Sequence, residues 1–153
     1  MADRIRNIFI LTTGILGLLF AGAPISAGIF GLDITPGFGM IQMIQLLAGI
    51  SLLTLSGFIY LNYLREDEPR SLQADIGVRL GATGLIFAFV SGLSDLMGIG
   101  THTIPTFERP FVGPFQLAGL GLGVVLIIVG MILFHTSRGN GRNSSLEFLA
   151  PKE

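Results

Sequence analysis

The chain has 153 residues, half of them hydrophobic and only 12% charged, with a formal net charge of −1. Its mean hydropathy of +0.74 lies outside the range of soluble domains, and near-neutrality leaves no basic field to recruit nucleic acid. The absence of cysteine excludes disulfides, thiolate metal sites and a cysteine nucleophile.

Met1 to Asn7 is a short polar start carrying Arg4 and Arg6. Residues 8–32 hold no polar side chains except Thr12, Thr13 and Ser26, long enough to cross a hydrocarbon core of ~30 Å. Ala21-Gly22-Ala23 has the form of a signal-peptide cleavage site, but the apolar run continues past it and Pro24 would follow the cut directly. The segment reads as a retained membrane helix, kinked near Pro24, whose ring and missing N–H disturb the preceding turn.

Residues 33–38 form a Pro-Gly turn. A second span covers residues 39–64 and ends with Tyr60 and Tyr63, which suit the headgroup level. Residues 65–75 (REDEPRSLQAD) make an aqueous loop, with Asp75 as the expected N-cap of the next helix. The third span is 76–98, with Arg79 close enough to its start to snorkel outward. Residues 99–112 are the longest loop, carrying His102, Glu108 and Arg109. The fourth span is 113–134, and a polar tail, flexible and cytoplasmic in this reading, occupies 136–153.

Eight of the nine Lys and Arg residues fall in the N-terminus, the middle loop with the helix start after it, and the tail, leaving Arg109 alone in the other loops. The positive-inside rule therefore puts both termini in the cytoplasm, and the plasma (inner) membrane is the expected location.

Small residues recur along the spans at helical spacing. The third reads Gly81, Gly84, Ala88, Ser91 and Gly98, with Asp95 filling the gap, and the first reads Gly14, Gly17, Ala21, Pro24, Gly28 and Gly31. The first and third spans match at an offset of 67, for instance Gly14/Gly81, Gly17/Gly84 and Ala21/Ala88. The second and fourth match at 74, for instance Pro36/Pro110, Gly39/Gly113, Gln42/Gln116 and Gly49/Gly123. The reading is an all-α polytopic membrane protein: a four-transmembrane-helix bundle built from two parallel helical-hairpin repeats, about 8–64 and 76–135. Lipid supplies no hydrophobic force between helices, so close approach through small residues and interhelical hydrogen bonds must hold them. The seams are Gln42, Gln45, Gly49, Leu52 and Ser56 in the second span, and Gln116, Gly119, Gly123, Leu126 and Gly130 in the fourth. The first and third helices are expected to touch near the axis.

Asp95 is the sharpest candidate for chemistry, because an intramembrane carboxylate is costly unless paired or hydrated. It is expected one turn below the outer end of its helix, either handling a proton or cation or tying down the outer loop through Arg109 or His102. Gln42 and Gln116 occupy equivalent helix starts, where they serve as interhelical glue or, less simply, as a quinone or ion site. His135 ends the fourth helix as a dipole-compatible residue or as a haem or pigment ligand. His102 is on the opposite side of the bilayer from it.

No group of residues converges for acid–base catalysis, so a non-enzyme is expected. The leading functional reading is an accessory or structural subunit of a larger integral membrane complex, of the energy-transducing (respiratory or photosynthetic) kind. Its expected partners are other membrane subunits, lipid and a second copy of itself, and no cofactor is required. The alternatives are a small transporter or channel using Asp95, and a pigment-, haem- or quinone-binding protein.

Overall fold

The computed structural model of the chain describes residues 2–30, 38–65, 71–94, 97 and 112–137. These form four helices: α1 (Ala2–Phe30), α2 (Met40–Tyr63), α3 (Leu72–Gly92) and α4 (Pro114–Thr136). Each is long and apolar enough to cross a membrane. The protein is therefore an all-α integral membrane protein. α1 is helical on both sides of Pro24.

The starts of α2, α3 and α4 each have a local cause. Gly39 and Gly113 are the N-caps of α2 and α4, in nearly identical extended conformations (φ −84°, ψ 167° and φ −79°, ψ 161°). Pro114 occupies the first turn of α4, where its missing N–H costs nothing and its fixed φ favours the helix. α3 corrects the expectation at its start. Ser71 is the N-cap and accepts a hydrogen bond from Ala74 N at 3.2 Å, so the helix begins before Asp75. Asp75 lies in the first turn instead, paired with Arg79 at 2.8 Å across one turn, on a largely exposed face.

α1 packs along α2, α3 packs along α4, and α2 also meets α3 and α4. This corrects the expected contact of α1 with α3 near an axis: α2 holds the central place. The reason is how the small residues are spent. Gly17 faces α2, where an added Cβ would come within 2.9 Å of Leu53 N and 3.2 Å of the Gly49 carbonyl oxygen. Gly49 in turn lies directly against the Ala21 backbone. On the other side, Gly84 and Gly123 lie face to face, with Gly77 against Gly130 one level nearer the start of α3. The Gly17–Gly49 contact lies within the α1–α2 pair and the Gly84–Gly123 contact within the α3–α4 pair.

The two pairs are joined by larger side chains from α2 seated on small residues. Met43 and Leu47 lie against Gly92, and the Phe58 ring fills the space that a Cβ on Gly81 would need. Met131 of α4 reaches Gly57 of α2 in the same way. Met43, Leu47 and Ala88 form a buried cluster, with Phe38, Leu46, Leu93, Val112 and Leu120 packed around it. Much of the remaining surface is apolar and exposed, as at Leu11, Leu18, Leu117 and Ile128.

Candidate functional site

Two polar zones lie at opposite ends of the described helices. At one end, the N-termini of α2 and α4 carry Gln42 and Gln116. Each is the third residue of its helix. Gln42 Oε1 accepts a hydrogen bond from Gly39 N at 2.8 Å, and Gln116 Oε1 accepts one from Gly113 N at 2.7 Å. This is half of a capping box: the Gln reaches back to the N-cap amide, and glycine has no side chain to return the bond. Gln116 Nε2 also donates to Ser94 Oγ at 2.7 Å, tying the start of α4 to the turn that follows α3. The paired glutamines are thus placed as sequence spacing indicates, with their carbonyl oxygens engaged in capping.

Asp95, His102 and Arg109 lie outside the described residues. α3 ends at Gly92, with Leu93 as its C-cap.

The opposite end holds a cluster that sequence reading missed. Arg65, two residues beyond the end of α2, is only 4% exposed. Its guanidinium lies 4.9 Å from the centroid of the Phe134 ring, and Nη1 donates to Ser137 Oγ at 2.8 Å. Ser137 Oγ donates onward to the Phe134 carbonyl oxygen at 2.8 Å. Phe134 stands edge-on to Phe58, with centroids 5.8 Å apart and planes at 85°. The cation therefore rests on a quadrupolar ring face and beside the negative end of α4, two favourable electrostatic contacts in a water-poor setting. Nearby links follow the same logic. Gln73 Nε2 donates to Thr136 Oγ1 at 3.0 Å, and the Arg6 guanidinium lies 4.0 Å over the Tyr63 ring while pairing with Asp3.

In sequence, Arg65 reads as one more loop cation flanking a span. The only local signal for the cluster is Phe134 and Ser137, three residues apart at the end of α4. Nothing local says that Arg65 lies over them.

His135 is exposed in the last turn of α4, adjacent in sequence to the buried Phe134 but on another face. Among the described residues, no three His, Cys, Asp or Glu side chains are grouped so as to hold a metal ion.

One further polar contact lies inside the apolar spans. Ser56 Oγ donates across the α1–α2 interface to the Ile10 carbonyl oxygen at 2.9 Å. The bond runs past Gly14, where a Cβ would sit 3.1 Å from that hydroxyl. Glycine there opens the helix flank so that a second donor reaches a carbonyl already used within α1. The other hydroxyls in the spans mostly bond back one turn, as Ser51 does to Leu47 O and Thr54 to Ile50 O.

No protein-family model, curated protein or solved structure matches the chain.

Proposed function

We propose that this chain is a non-catalytic structural subunit of a larger integral membrane complex, with energy-transducing complexes the first place to look. The observation that carries the reading is how its polar groups are spent. Gln42 and Gln116 cap helices, Ser56 joins α1 to α2, and Arg65 and Gln73 tie the ends of α2 and α3 to α4. Each of these contacts holds helices in place, and apolar faces remain for lipid and for neighbouring subunits.

The architecture belongs to the same proposal. The chain is two copies of one helical hairpin, both inserted with their termini on the cytoplasmic side of the plasma membrane. The orientation rests on the Lys and Arg distribution. The repeat is supported by matching contact registers at the sequence offsets of 67 and 74. A Cβ added to Gly17 would lie 3.2 and 2.9 Å from Gly49 O and Leu53 N, and one added to the counterpart Gly84 would lie 2.6 and 2.8 Å from Gly123 O and Ile127 N. Gly49 lies on Ala21 as Gly123 lies on Ala88.

Gentle solubilisation of the native membrane, followed by sizing and identification of co-purifying chains, tests the function. A stoichiometric second polypeptide is expected. A particle whose whole mass is accounted for by this chain would overturn the proposal.

A further inference from the structure

Three glycine contacts set the register of α1 on α2. A Cβ added to Gly14 would lie 3.1 Å from Ser56 Oγ, and one added to Gly17 would lie 2.9 Å from Leu53 N. One added to Gly49 would lie 2.8 Å from Ala21 Cα. The helices are therefore antiparallel, and steps of three and four residues along α1 match equal steps back along α2. The next such step carries Pro24 and Ile25 to the level of Leu46 and Gln45. Pro24 is buried there and Gln45 half-buried, while Ile25 is 54% exposed, so this level reaches the edge of the interface.

Each helix brings an unmet polar group to that level. In α1 the Phe20 carbonyl points along the helix toward residue 24, and proline has no N–H to give it. The Phe20–Ala21 peptide is the one that lies against Gly49. Gln45 stands one turn along α2 from Gly49, in the direction in which that carbonyl points. Gln45 makes no hydrogen bond among the described residues, whereas Gln42, Gln73 and Gln116 all do. In membrane helices, neighbouring helices and ordered water are what satisfy a carbonyl freed by proline.

Hairpin two has neither group at the corresponding place. The offsets of 67 and 74 pair Pro24 with Ser91 and Gln45 with Gly119. Ser91 and Gly119 touch, since a Cβ added to Gly119 would lie 2.8 Å from Ser91 Cβ. Ser91 has an N–H for the carbonyl one turn back, and the residue facing it has no side chain. Where proline removes that N–H, the facing residue carries an amide donor. This comparison rests on the hairpin-repeat reading; the register of α1 on α2 does not.

We propose that Gln45 serves the Phe20 carbonyl in place of the amide that Pro24 lacks, through one bridging water. The water donates to Phe20 O and accepts from Gln45 Nε2. No direct bond joins the two groups in the structure, and two polar partners are enough to hold a water. Gln45 is the sixth residue of α2, only ~8 Å along the axis from its start and within reach of interfacial water. The bridge holds α1 to α2 at its interior proline.

A double-mutant cycle on the full chain in lipid tests the link. Gln45→Met keeps the bulk and removes the donor. It is expected to raise the unfolding equilibrium constant ~3-fold, the size of an average interhelical hydrogen bond in membranes, and to move the Phe20 carbonyl ¹³C resonance. Pro24→Ala restores the N–H, and in that background Gln45→Met is expected to change neither. Equal effects in both backgrounds would overturn the proposal. If Pro24→Ala does not fold, the Phe20 resonance in Gln45→Met decides alone, and indifference to residue 45 overturns it. Water-edited solid-state NMR of the unaltered chain supplies the last arm, with magnetisation expected to pass from water to the Gln45 amide. Coupling without that transfer would mean a direct bond and would overturn the water bridge.

Discussion

Gly84 and Gly123 face each other so closely that a Cβ on either would collide with the other's main chain. From Gly84 it would reach the Gly123 carbonyl oxygen at 2.6 Å, and from Gly123 the Gly84 carbonyl oxygen at 2.7 Å. Backbone atoms cannot swing aside as the tip of a side chain can. Gly123→Ala should therefore push α3 and α4 apart and cost about 1–3 kcal/mol, the usual range for overpacking. Gly22→Ala, with nothing within 4 Å, should leave the fold unchanged or stabilise it by up to about 1 kcal/mol through helix propensity. Unfolding of the two variants in bicelles, followed by circular dichroism, checks the contrast. Equal stability would mean that the seam does not hold the pair together.

The Ser56–Ile10 hydrogen bond makes a smaller demand. Ser56→Ala keeps the shape of the seam and removes the donor, so a loss of ~0.6 kcal/mol is expected, the average for interhelical hydrogen bonds in membranes. Ser56→Val should cost more, because its added methyl group enters the space left by Gly14. The ordering serine, alanine, valine in unfolding stability is the readout.

Gln42 and Gln116 should behave as helix caps. Gln116→Leu is expected to cost ~0.5–2 kcal/mol, in line with loss of a capping bond, and to lose the link to Ser94 as well. Gln116→Glu keeps an acceptor for Gly113 N and should recover part of that loss. Amide hydrogen exchange in the first turn of α4 reports on it directly. If leucine leaves exchange there unchanged, capping is not what the residue does.

Arg65 should be intolerant even of lysine. Lysine keeps the charge but not the planar face on Phe134 or the reach to Ser137, so Arg65→Lys is expected to lose about 1–3 kcal/mol. Faster exchange in the last turn of α4, with the first turn unaffected, would locate the change. By contrast Arg79→Ala, which removes an exposed pair within one helix, should cost under about 1 kcal/mol.

What the sequence by itself determined is local. Four apolar runs of sufficient length became four helices because, in lipid, one segment satisfies its backbone hydrogen bonds within itself only as a helix. The recurring Gly-x-x-Gln became two helix starts because a glutamine at the third helical residue reaches the N-cap amide from within its own segment. The small-residue seams were legible for the same reason, since helical periodicity puts Gly119, Gly123 and Gly130 on one side of α4 whatever lies opposite. Periodicity does not name the partner. Whether Gly84 meets Gly17 or Gly123 depends on how helices distant in sequence assemble, and the tertiary structure decided for α4, leaving α2 and not an α1–α3 contact at the centre. The start of α3 shows the same limit at short range: Ser71 and Asp75 are both competent caps, and Ser71 is the one whose oxygen meets a free amide. Arg65 marks the far end of the scale. Its charge reads as a loop residue, and only the convergence of α2 and α4 buries it between Phe134 and Ser137, contacts 69 and 72 residues away in the chain.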